Sequence, residues 1–147
     1  MKKIIESQIF VLSKRNKVSV PIQICYTDDE VEITITYNGA EYFATGKEYL
    51  WVDAFADLQG KLPSDIRLAC CMTCCHGNMC PYGNKENQLF CTKDVFITSK
   101  DDMINLIDKD PSFFERTVSS FDYCDDFAYQ SDDCYTYNDY LYHLQKN

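Results

Sequence analysis

The sequence predicts an α+β fold: an N-terminal antiparallel meander sheet, an amphipathic helix packed on it, and a cysteine-rich loop insert. Three observations predict it. Apolar and polar residues alternate with period two through most of residues 1–45. The period then changes to that of a helix. Beyond it, residues 70–91 hold six of the nine cysteines.

The elements follow in order. Ile4–Leu12 reads as a strand. Val18, Val20, Ile22, Ile24 and Tyr26 alternate with Ser19, Pro21, Gln23 and Cys25, which predicts a strand with one buried face. Pro21 falls on the outward parity, as expected for an edge strand. Thr27, Asp28 and Asp29 turn the chain, and Val31, Ile33, Ile35 and Tyr37 mark the next strand. Asn38-Gly39 is a two-residue hairpin signal, because both residues tolerate positive φ, and Glu41–Thr45 pairs back. Leu50, Ala54 and Leu58, with Trp51 and Phe55 beside them, give one apolar face to a helix over 48–59, stopped by Gly60 and Pro63. Asp65–Ala69 is expected to be a strand leading into the cysteines, and Leu89–Thr98 a strand leaving them. Ser99 with Asp102 starts a helix whose apolar face is Met103, Ile104 and Ile107, with Pro111 beyond its end. A short terminal helix is expected to turn Leu141 and Leu144 inward.

At 147 residues and 46% apolar, with 11 Tyr, 9 Phe and 1 Trp, the chain reads as one domain, 1–147, with a core of its own. The cysteines are therefore not needed to replace a missing core. Lys2 and Lys3 imitate a secretory start, but Glu6, Ser7 and Gln8 break the apolar run. No stretch approaches the ~20 apolar residues that span a bilayer. The expectation is a soluble cytoplasmic protein with reduced thiols. Residues 1–100 carry 11 basic and 12 acidic side chains, and 101–147 carry 3 and 11, so almost all of the net charge of −9 lies in the acidic C-terminal part. Such a chain repels phosphate backbones and excludes nucleic acid as a partner. A basic protein is the natural complement.

Thiols at this density bind a soft metal, exchange disulfides or form bridges. Cys71-x2-Cys74 is the spacing that wraps a turn around a tetrahedral ion with both sulfurs inward. Cys91, 17 residues after Cys74, suits a loop that leaves this knuckle and returns. Cys80, Cys124 and His76 compete for the remaining position, while Cys70 and Cys75 flank the knuckle with Cys-x3-Cys alternatives. Pro81, Gly83 and Asn84 supply turn chemistry between. Zinc is the expected ion, in a closed site without an open coordination position, and so structural. An iron–sulfur cluster on Cys71, Cys74, Cys80 and Cys124 ranks lower because of the five-residue gap before Cys80. A thioredoxin-like exchanger lacks its βαβ context. Cys25 and Cys134 read as small buried apolar residues.

With these residues in view, the chain resembles a bacterial family of domains of unknown function. The matching pieces are DAFADLQGKLP at 53–63, CMTCCHGNMCPYGN at 71–84, FCTKD at 90–94 and FDYCDDF at 121–127. The family pattern is Cys-x2-Cys, then Pro-x-Gly, then Cys, then a tyrosine-containing segment with a further Cys. The resemblance covers residues 50–127 and implies a metal site on Cys71, Cys74, Cys91 and Cys124. Cys80 stands where the family has a small polar residue, and Thr92-Lys93 replaces its aromatic-Arg pair.

Other chemistry is sparse. His76 reads as a solvated loop residue and His143 as facing water. Asp53 and Asp57 read as the solvated side of their helix. No acid, base and nucleophile converge. The best interaction segment is 122–140, through Tyr123, Asp125, Asp126, Tyr129, Asp132 and Asp133, although its tyrosines also suit packing on the domain. The expected function is a non-catalytic protein-binding domain with a structural zinc, of which an immunity-like role is one instance. A thiol redox or metal-responsive protein is the alternative.

Overall fold

A computed structural model describes residues 2–47, 51–83 and 87–146. The architecture is α+β. The chain falls into two compact units, Met1–Ala69 with Asp139–Asn147, and Cys70–Asn138.

The first unit is a five-stranded antiparallel sheet with two helices. Its strands are β1 (Lys3–Ser13), β2 (Asn16–Tyr26), β3 (Glu30–Tyr37), β4 (Ala40–Lys47) and β5 (Ile66–Ala69), in the order β4-β3-β2-β1-β5. The meander read from the alternation is present. Asn38 and Gly39 both have positive φ, and Tyr37 pairs with Ala40 across the two-residue turn. The Thr27 hydroxyl accepts from the backbone N–H of Asp29 and Glu30, which closes the preceding turn. One sheet face supplies Ile9, Val11, Val20, Ile22, Ile24, Val31, Ile33 and Ile35, all buried.

Pro21 lies on the middle strand of five, not on an edge strand. The β2–β3 ladder runs only from Ile22 to Tyr26, so Pro21 sits one residue past its end. On that side its missing N–H leaves no cross-strand bond unmade.

Helix α1 (Trp51–Lys61) packs on β4 and β3 through Ala54, Phe55 and Leu58. Residues 48–50 of the expected helix, Leu50 included, lie outside the described residues. Gly60 does not stop α1, which continues to Lys61 with Leu62 N–H donating to Leu58 O at 3.2 Å. Pro63 lies just past that end. A Cβ on Gly60 would meet nothing within 4 Å, and the residue is exposed. Gly60→Ala is therefore expected to stabilise the protein by about 0.5–1 kcal/mol, read as a higher urea midpoint at unchanged slope.

Asp53 and Asp57 are not merely a solvated face. Asp57 Oδ2 accepts from Thr45 N–H at 3.0 Å and Asp53 Oδ2 from Lys47 N–H at 3.1 Å. Two carboxylates one helical turn apart thus cover alternate donors along the edge strand β4. The terminal helix α3 (Tyr140–Lys146) packs against α1, with Tyr140 buried and Leu141 and Leu144 half-buried. His143 does not face water: its Nδ1 is 3.4 Å from Asp53 Oδ1, and both side chains are about four-fifths covered.

The second unit holds a three-stranded sheet, β6 (Gly77–Asn78), β7 (Gln88–Cys91) and β8 (Thr117–Ser119), in the order β6-β7-β8. Helix α2 (Lys100–Lys109) begins as expected: Ser99 Oγ accepts from Asp102 N–H, and Asp102 Oδ2 accepts from the N–H and hydroxyl of Thr98. Those bonds hold the Asp102 carboxyl below the usual carboxylate range. Cys80, Phe90, Met103 and Phe113 form the core, with Ile97, Leu106, Ile107 and Tyr137 against it. The strand expected over Leu89–Thr98 ends at Cys91, because Val95 N–H bonds back to Thr92 O and turns the chain. Arg116 then clamps this turn, donating to the Asp94 and Asp110 carboxylates and to Cys91 O. Among the described residues no helix is long and apolar enough to cross a membrane.

Candidate functional site: four cysteines around one small cavity

The cysteine-rich stretch leaves β5 through a 3₁₀ turn at Cys71–Thr73. Thr73 shapes it: Cys70 N–H donates to the Thr73 hydroxyl, which donates to Cys70 O at 3.1 Å. Cys74 N–H donates to Cys71 O and Gly77 N–H to Cys74 O, so two tight turns follow one another. Gly77 is obligatory here, because a Cβ on it would lie 2.0 Å from Cys71 O. Gly77 also pairs with Cys91, which places the returning cysteine beside the knuckle.

The C-terminal segment closes the site from the other side. Cys71 N–H donates to Asp122 O and Cys75 N–H to Ala128 O, both at 2.7 Å. Cys74 and Tyr129 form an isolated bridge. Amide side chains then stitch the segment down. Gln130 Nε2 donates to Met72 O, Asn138 Nδ2 to Met72 O and Gly77 O, and Asn78 Oδ1 accepts from Tyr137 N–H at 2.6 Å. Asn78 Nδ2 also holds the buried Thr92 hydroxyl at 2.8 Å.

The result is a cavity of about 20 Å³ lined by Cys71, Cys74, Cys91 and Cys124, with His76 and Gly77 beside them and Val118, Tyr123 and Phe127 closing the apolar side. That is room for about one water-sized body. Burial pushes the Cys71 thiol far up, and the Cys70, Asp122, Cys74 and Cys91 side chains add to this. Burial also raises Cys74, opposed by hydrogen bonds from the backbone of Ala128 and His76 to its sulfur. The His76 N–H, two residues on, lies 3.5 Å from that sulfur. Lys93 Nζ is 3.1 Å from Asp126 Oδ2, and its ammonium form is favoured first by Asp126 and then by Cys124.

No family model, curated protein or solved structure matches this chain. The site stands on its own geometry.

The other sulfurs named from the sequence go elsewhere. Cys80 is 7% exposed in the core beside Phe90, and Cys70 is fully buried. Cys25 sits half-exposed on β2, and Cys134 is half-exposed too, so neither is a buried apolar residue. His76 is half-buried at the cavity rather than solvated. Asn84 lies outside the described residues. Tyr123 and Tyr129 are half-buried, Tyr123 stacking on Phe127 at 5.6 Å, whereas Asp125, Asp126, Asp132 and Asp133 are exposed. The Gln130 and Asn138 amides were not legible in advance; only their position among acids and aromatics marked them. Among the described residues no group of three or more His, Cys, Asp or Glu side chains stands ready to hold a metal ion.

Burial lifts the Cys70 thiol from 9.0 to about 12, partly offset by its bonds to Thr73. The folded state then keeps a proton that the unfolded chain loses above pH 9.0, so this group's contribution is intact below that pH and is lost as pH rises toward 12. The metal-free protein is expected to lose stability steadily across that window, and Cys70→Ala to flatten the slope. Urea midpoints measured every half pH unit check this.

Proposed function

We propose that this chain is a non-catalytic protein-binding domain whose cysteine loop is closed by a structural zinc ion on Cys71, Cys74, Cys91 and Cys124. The supporting observation is that these four sulfurs, drawn from three separate stretches of chain, line one ion-sized cavity. Buried thiols crowded together resist ionisation, and a dication offsets that resistance by binding the thiolates. Zinc supplies charge and cross-linking and no reaction step. The chain's own groups orient the ligands: the His76 and Ala128 backbone toward Cys74, Gly77 opposite Cys91, and Lys93 beside Cys124. The exposed carboxylates of Asp125, Asp126, Asp132 and Asp133 present the negative charge that steers a basic protein partner. Neutralisation of a basic toxin in the bacterial cytoplasm is one such role, by analogy, and we place the chain with the bacterial family it resembles.

Metal analysis of protein purified without added metal tests the site. The expected result is one zinc per chain, proton release when zinc is added to stripped protein, and four fewer thiols open to alkylation. Cys91→Ser should lower zinc affinity by at least tenfold. Absence of zinc, with all nine thiols reacting, overturns it. Charge reversal at the four aspartates should abolish recovery of a basic partner from native lysate; unchanged recovery removes the interface.

A further inference from the structure

Three cysteines lie outside both the cavity and the apolar core, and two of them, Cys75 and Cys134, come together. Cys75 follows Cys74 in the chain, yet it does not line the cavity. Its thiol instead lies near enough to that of Cys134, 59 residues later (134 − 75), for the two to interact. The backbone fixes this meeting from both sides. Cys75 N–H donates to Ala128 O at 2.7 Å, and Cys75 O accepts from the Thr136 hydroxyl at 2.8 Å. Cys134 lies on the short arc between these two anchors. Ser131 holds its sulfur, donating to Cys134 Sγ at 3.9 Å and accepting from it at 3.8 Å. Asp133 N–H and Cys134 N–H both bond to Ser131, which makes the arc a tight turn. Both thiols are half-buried, so a small oxidant reaches them.

We propose that Cys75 and Cys134 form an oxidisable dithiol, whose disulfide locks segment 128–136 onto the turn that follows the knuckle. The oxidant is a small-molecule disulfide. Cys134 attacks first, its sulfur held by the Ser131 hydroxyl. One small thiol leaves and a mixed disulfide forms. Cys75 then attacks the Cys134 sulfur of that bond and the second small thiol leaves. Two protein thiols give up two electrons and two protons, and the small disulfide becomes two thiols. This inference does not rest on zinc.

The test is incubation of the reduced full-length protein with glutathione disulfide, with and without one equivalent of zinc. Alkylation in denaturant and peptide mapping follow. The expected product is a Cys75–Cys134 linked peptide in both arms, with seven alkylated thiols in place of nine (9 − 2). Thermal unfolding should move upward on oxidation, because the bond closes a long loop. Neither Cys75→Ser nor Cys134→Ser should show that rise. Full alkylation of Cys75 and Cys134 after treatment overturns the proposal, as does their linkage to other cysteines. The mapping uses the unmodified sequence, so it holds even where a serine variant folds poorly. Loss of zinc binding with an intact Cys75–Cys134 bond defeats the metal reading alone.

Discussion

Gly77→Ala is expected to cost about 3 kcal/mol or more, the upper end for overpacking a well-filled site. The added methyl lands 2.0 Å from Cys71 O, 3.1 Å from Cys71 C and 3.5 Å from Cys74 O. These are backbone atoms, so no rotamer change relieves the clash. Nor can the carbonyl swing away, since Cys71 O accepts the Cys74 N–H that closes the knuckle. Gly77 cannot retreat either: its N–H is bonded to Cys74 O, its O accepts from Asn138, and it pairs with Cys91. The two turns must separate, and Cys71 and Cys91 separate with them. The thermal midpoint should fall by about 6–12 °C, and alkylation of Cys71 and Cys91 should accelerate. Gly60→Ala is the matched control, the same chemical change where nothing is met. A Gly77→Ala protein within about 0.5 kcal/mol of the parent would mean that the knuckle and β6 do not approach as described.

What was legible in the sequence is what local chemistry decides. Alternation from Val18 to Tyr37 fixed which residues face the core, and Asn38-Gly39 fixed the hairpin, because a one-residue slip would expose the whole apolar set. Ser99 with Asp102 marked the start of α2 because that bond joins neighbours in the chain. Features set by distant partners were hidden. Pro21 looks like an edge residue until the β2–β3 ladder is seen to stop at Ile22. Gly60 looks like a helix stop, yet α1 continues one residue past it to Lys61. Leu89–Thr98 looks like one strand, but the turn at Thr92 and the Arg116 clamp divide it.

The cysteines divide in the same way. The Cys71-x2-Cys74 turn is local, and it is present. Spacing alone left Cys80, Cys124 and His76 competing for the last place. The fold sets Cys80 apart in the core, while Cys124, exposed, and His76, whose backbone N–H points to Cys74, both line the cavity. The Cys75–Cys134 meeting had no local signal, since it depends on the amide contacts that lay residues 128–138 across the knuckle.

Phe90→Ala is the second large effect, about 3–5 kcal/mol. Phe90 is fully buried, with ring centroids 4.5 Å from Phe113 and 5.8 Å from Phe114, and it packs with Cys80 and Met103. Truncation leaves a cavity that these neighbours cannot fill, since Asn78 and Thr117 hold β7 on both sides. Cys91 follows Phe90 directly, so the loss should reach the cysteine cavity as well as the core. The expected signature is a lowered urea midpoint together with faster alkylation of Cys91. Phe114→Ala separates this from a general aromatic effect. Phe114 stacks edge-on against the same ring but is 67% exposed, so its removal should cost under about 1 kcal/mol. Equal losses from the two variants would place the core of this unit somewhere other than around Phe90.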